Sequence, residues 1–232
     1  MQLPSGTALG IDQDGLSAWA AGGFPDPAIW VLLGTNCGSE GLLNGRRIGH
    51  PLARLDLDAH LGRPVGAAVI GSWALALAIH SQLGGEPTRL YEAYCAALRC
   101  PDVAGLAQWS REHVTSDERA ELFRTLVVVA DGGDVSATRV LCEAAEALAR
   151  ATRALGACMG VGHVDGARVP VLLAGKPWRA SGRLLSVFRE HLFEMLPRAD
   201  VQLTRVSQAE GAALLAMRHA GLHVGPEVFK VL

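Results

Sequence analysis

The run Ala28-Ile29-Trp30-Val31-Leu32-Leu33 constrains this chain more than any other segment, closed as it is by Pro27 before and Gly34-Thr35-Asn36 after. Six apolar residues with turn signals at both ends match a short buried strand. Strands of this kind feed ligand sites from their carboxyl ends, where a small-residue loop lets backbone N–H groups approach a phosphate or a sugar. Taken alone, the stretch is accounted for more simply as a strand-to-turn junction, since glycine punctuates turns everywhere. Its neighbours change that balance.

The pair Asn44-Gly45, set between Leu42-Leu43 and Arg46-Arg47-Ile48, predicts a tight hairpin, so residues 28–48 read as three antiparallel strands. Helices follow. Pro64 stands where a first-turn proline belongs, ahead of a buried helix over 65–83 that Gly84-Gly85 ends. A second helix covers 87–99 and stops at Pro101; a third starts at the capping arrangement of Thr115/Ser116 with Glu118 and runs to Ala130. Over 135–158 the spacing of Val140, Leu141, Ala144, Leu148, Ala151 and Leu155 predicts one apolar face, with Arg139/Glu143 and Glu146/Arg150 as ion pairs on the other. The last third predicts a strand at 169–175, a helix at 181–196, a strand at 201–204 and a helix at 209–219. Before the organising strand, residues 7–11 read as a strand, and Asp12-Gln13-Asp14-Gly15 as a turn or cap opening a short helix at 16–21. The order describes a mixed α/β layer fold without repeats or low-complexity linkers.

The totals exclude several classes. Half of the 232 residues are apolar and the net charge is −2, which argues against nucleic acid as a partner. The most apolar run, 65–79, is broken by Gly66, Gly71 and Ser72 and falls short of the roughly 20 residues of a membrane span. Five cysteines, odd in number and without a C-x-x-C pair or a signal-peptide pattern, predict reduced thiols in a cytoplasmic protein. The eight histidines show no metal-ligand spacing, and His80 reads as a core histidine. Cys37, within the glycine loop, is a nucleophile only if a base arrives from elsewhere in the fold.

Four segments, Val31-Leu32-Leu33-Gly34-Thr35, Gly132-Gly133-Asp134-Val135, Val169-Pro170-Val171-Leu172-Leu173-Ala174-Gly175-Lys176-Pro177-Trp178 and Ala209-Glu210-Gly211-Ala212-Ala213-Leu214-Leu215-Ala216, carry a resemblance by their order and spacing. Over residues 11–221 the chain resembles the second lobe of N-acetylglucosamine kinase and related BadF/BadG-type ATPases, in the actin/hexokinase/Hsp70 superfamily. The resemblance implies a ribonuclease-H-like mixed sheet: an N-terminal crossing segment over 1–27, then a single lobe over 28–232 with a helical insertion at about 64–131. It also implies ATP and Mg, with phosphotransfer to a sugar or similar hydroxylated metabolite.

Residue by residue, Asp14 matches the family's catalytic aspartate, a general base on a sugar hydroxyl, although as a residue it serves equally as a helix cap. Gly34 and Thr35 match the loop facing the nucleotide phosphates, with Asn36 in place of its second glycine. Gly175 matches the turn against the adenosine; Lys176 after it is a phosphate contact or a solvated loop lysine. Trp178 matches an aromatic of the sugar kinases, or is simply packed.

Two departures stand out. The family's acidic Gly-Asp-Glu-Gly-Ser stretch, which helps hold the sugar, corresponds here to Gly62-Arg63-Pro64-Val65-Gly66, without carboxylates. Asp56 and Asp58 just upstream are candidate substitutes, or belong to a plain edge strand. The Asp-Gly-Gly-Gly-Thr phosphate hairpin of the family's first lobe does not occur in the sequence. The expectation is therefore a half-built cleft, with helices 16–21 and 209–219 presenting apolar residues to a cover, and a homodimer mate or separate subunit supplying it. The alternatives are a non-catalytic binding or assembly protein that kept the lobe, and an enzyme that reuses the cleft without nucleotide.

Overall fold

A computed structural model describes residues 14–49, 65–113, 115–163, 168–224 and 228. The expected strand at 7–11, the carboxylates of Asp56 and Asp58, and the Arg63-Pro64 pair lie outside the described residues.

Five strands form one sheet in the order β3-β2-β1-β4-β5. The organising run is β1 (Ala28–Leu33), followed by β2 (Cys37–Leu43) and β3 (Arg46–Gly49), each antiparallel to the one before. β4 (Val169–Ala174) lies parallel to β1, and β5 (Ala199–Leu203) parallel to β4. Strands 28–48 and 169–175 thus share a sheet, as the ribonuclease-H-like expectation requires. The hairpin turn takes the left-handed conformation at Asn44 (φ 51°) and Gly45 (φ 74°), the twist that two-residue hairpins favour. Both turn N–H groups donate to the Asp26 carboxylate, at 2.9 and 2.7 Å.

Side-chain alternation along β1 splits the interior in two. Ile29, Val31 and Leu33 join Val171 and Leu173 in the larger core, while Trp30 packs with Leu172, Ala174 and Leu42 on the other face. The larger core is roofed by α2 (Ala67–Ser81), α3 (Leu90–Leu98), α4 (Val103–Glu112), α5 (Ser116–Asp131), α6 (Val135–Met159) and α8 (Gly182–Met195), with the short α7 (Lys176–Ala180) before α8. α6 buries the face its spacing predicts, from Val140 to Leu155, and packs on α8. The opposite face is covered by α1 (Asp14–Ala21), which packs against α9 (Gln208–His219).

Several expectations are corrected. α3 begins at Leu90 rather than residue 87, because the Arg89 N–H and the Thr88 hydroxyl are taken by the Asp134 carboxylate at 2.7 and 3.0 Å. The same carboxylate N-caps α6 through the Ala137 N–H at 2.8 Å. α4 was not legible: its only buried residue is Leu106, and Asp102 caps it through the Gly105 N–H at 2.8 Å. Glu146–Arg150 pairs as expected at 3.3 Å, whereas the ion pair of Arg139 is with Glu86, Glu143 acting on it only through its field. His80 is exposed, on the outer side of α2. Helices 16–21 and 209–219 bury part of each other, Ala20 and Ala21 clustering with Leu214 and Val206, while Ala18 packs on Trp30; Arg218 lies over the Phe24 ring at 4.7 Å.

Candidate functional site

Because β1 and β4 run parallel, their carboxyl ends arrive side by side, with Leu32 opposite Ala174. Two loops therefore meet at one edge of the sheet: Gly34-Thr35-Asn36 after β1, and Gly175 after β4. Gly175 holds φ 111° and ψ 156°, and a Cβ there would stand 1.8 Å from the Leu33 carbonyl oxygen. Only glycine fits so close an approach. Lys176 is exposed at the first residue of α7, beside it.

The β1–β2 loop is tied down from behind. Gly34 N–H donates to the Asn36 carbonyl at 2.9 Å. The Gly34 and Thr35 carbonyls accept from the first N–H groups of α2, those of Ala67 and Ala68, at 2.9 and 3.1 Å. Gly66, the residue before α2, allows this contact: its Cβ would lie 2.5 Å from Asn36 Cα. Helix starts expose unpaired donors that attract anions; here the loop's own carbonyls occupy two of them. From the side, the Thr35 hydroxyl donates to Asp117 Oδ1 at 2.9 Å, joining the loop to the first turn of α5.

The remaining predicted residues divide. Asp14 is exposed at the start of α1, on the other face of the sheet, where the adjoining Gly15 lies against Trp30 and Glu40. The described contacts of the loop run instead to α2 and α5. Trp178 is corrected as a substrate contact: it is 1% exposed, packed edge-on to Phe188 with ring centroids 4.8 Å apart. Its indole N–H is buried without a partner, so the ring offers no open face to a substrate. Cys37 is half-buried at the start of β2, and burial pushes its thiol up, which disfavours the thiolate that attack needs. The sequence reading missed Asp117 and Gly66. Asp117 was visible only as a first-turn acid beside the Thr115 cap; its partner lies 82 residues away.

Among the described residues, no cluster of three or more histidine, cysteine or acidic side chains could hold a metal, and no helix is long and apolar enough to cross a membrane. Neither a protein-family model nor a curated protein matches the chain. Solved structures do match. A protein assigned as N-acetylglucosamine kinase from Chromobacterium violaceum aligns at 22% identity and TM-score 0.64, over 87% of this chain and 63% of that one. Its counterpart from Porphyromonas gingivalis aligns at 14% and 0.62, over 90% and 66%. A ROK family glucokinase from Streptomyces griseus, solved with glucose and AMPPNP, aligns at 15% and 0.58, over 89% and 66%. The chain thus spans 63–66% of the length of these structures. What is common at such identities is the path of the backbone, and this chain has the actin/hexokinase-like α/β fold of the sugar kinases.

Proposed function

We propose that this chain is the nucleotide-facing lobe of an ATP-dependent phosphotransferase acting on a hydroxyl of a sugar or similar metabolite. The cleft would be completed by a second copy or a separate subunit that brings the phosphate-binding hairpin. The observation that carries the reading is the meeting of two glycine turns at the ends of two parallel strands: Gly175, whose backbone passes too close to Leu33 for any Cβ, and Gly34-Thr35 beside it. A nucleotide would lie against that strand end, with Gly34, Thr35, Asn36 and Lys176 toward its phosphates. Magnesium ATP would supply the transferable phosphoryl group. Asp14 would take the proton of the acceptor hydroxyl. The fold likeness to a glucokinase solved with AMPPNP supports the nucleotide class.

The test is calorimetric titration of the chain with Mg-ATP and with amino sugars, alone and in the presence of its partner. Heat on nucleotide addition, together with phosphoryl transfer that Asp14→Asn abolishes, is the expected result. An absence of heat in both arms removes the reading.

A second reading is favoured by one observation. Thr35 donates to a carboxylate, and the loop's carbonyls are spent on α2, so the loop presents negative charge near the place where phosphates would lie. On that reading the lobe binds a ligand or partner without phosphotransfer, and a thermal-shift panel would respond to a sugar with no added effect of nucleotide.

A further inference from the structure

We infer that Cys95 and Cys100 form a reversible disulfide that staples the corner between α3 and α4. α3 ends at Leu98, and Arg99 adopts the left-handed conformation at φ 55° and ψ 37°. The chain then folds back so that the Cys100 N–H donates to the Cys95 carbonyl at 3.0 Å. This six-residue closure sets the first and last residues beside each other, a slot that hydrophobic pairs usually occupy. Here both residues are thiols.

The geometry suits the bond. A disulfide needs Cα atoms about 4.4–6.8 Å apart with side chains pointing the same way; the backbone hydrogen bond draws the two residues together, and the Cys100 thiol, which donates to the Leu98 carbonyl at 3.7 Å, has to turn from it to close the bond. Both thiols are half-buried, packed along the margin of the larger core. Burial pushes the Cys100 thiol up, and the neighbouring Cys95 and Asp102 push it in the same direction. That disfavours the Cys100 thiolate and slows its attack. The other cysteines lie elsewhere, Cys37 on β2 and Cys142 and Cys158 on α6.

The oxidant is a small-molecule disulfide such as oxidised glutathione. One protein thiolate attacks a sulfur of the small disulfide, forming a mixed disulfide and releasing one small thiol. The second protein thiolate displaces the other. Two protein thiols are oxidised, one small disulfide is reduced to two thiols, and these take the protons. Because α4 buries little beyond Leu106, the bond would fasten the most weakly anchored helix of the layer.

Arg99 makes the test direct, because trypsin cuts between the two cysteines. The native full chain is incubated with oxidised glutathione, alkylated, denatured and digested. Peptides 90–99 and 100–111 are expected as one linked species, two hydrogens lighter than their sum and separated by dithiothreitol. Cys100→Ser should give no linked species and leave Cys95 carrying a single glutathione. Wild-type protein in which both cysteines are recovered singly, glutathionylated or alkylated, overturns the proposal, as does a linked species in which either cysteine pairs with Cys37, Cys142 or Cys158.

Discussion

The hydroxyl of Thr35 donates to the carboxylate of Asp117 at 2.9 Å, fastening the turn after β1 to the start of a helix 82 residues later in the chain. The contact sets both the shape and the charge of the loop that the proposed nucleotide would meet. Asp117→Asn keeps an accepting oxygen and removes the charge. Affinity for Mg-ATP should then rise, by roughly threefold to tenfold for one charge near a phosphate at the surface, read by calorimetry. An unchanged affinity would place the phosphates elsewhere.

Gly175→Ala should be among the costlier single substitutions in the protein. The added methyl meets the Leu33 carbonyl, and the backbone holds a φ that L-residues avoid. A loss of about 2 kcal/mol or more is expected in urea unfolding. The β1–β4 register would be the part disturbed.

Asp134 joins α3 to α6. Burial alone would raise its carboxyl, but hydrogen bonds from the Ala137 and Arg89 N–H groups and the Thr88 hydroxyl, with the Arg89 charge, outweigh it and hold the group below its usual value. A carboxyl lowered in the folded state contributes stability that is fully present above its ordinary value of about 3.9 and is lost as pH falls below it. Acid unfolding should therefore be less steep in Asp134→Asn. Asp134→Ala, which strands three donors, should cost about 2–4 kcal/mol at neutral pH.

Trp178 belongs to the core. Trp178→Ala should cost about 3–5 kcal/mol, whereas Trp178→Phe, which also removes the unpartnered N–H, should cost far less. Ligand affinity in Trp178→Phe should match the wild type. A large change in affinity with stability preserved would return the ring to the site.

Thiol titration of the native protein should find Cys158 first, since it is exposed. Cys37, half-buried, should react more slowly, because burial pushes its thiol up and disfavours the thiolate. Early labelling of Cys37 would reopen the reading of an enzyme using that thiol.

Local chemistry was enough for the order and type of most elements. The uninterrupted apolar run at 28–33, the Asn44-Gly45 turn, the Thr115/Glu118 cap and the stripe from Val140 to Leu155 each state their conformation within a few residues. The same signals placed Gly34, Thr35 and Gly175 at strand ends, which is where a site on such a sheet belongs. Other features were decided only by the packed chain. α4 is short, with one fully buried residue, Leu106, and Trp109 packed beside the core, and Arg139 pairs with Glu86 from another segment. The ties of Thr35 to Asp117 and of Thr88 to Asp134, and the burial of Trp178, join residues whose separation along the chain leaves no local periodic trace. Backbone preference and side-chain pattern act over a turn or a strand, whereas these contacts exist only once the layers have closed around one core.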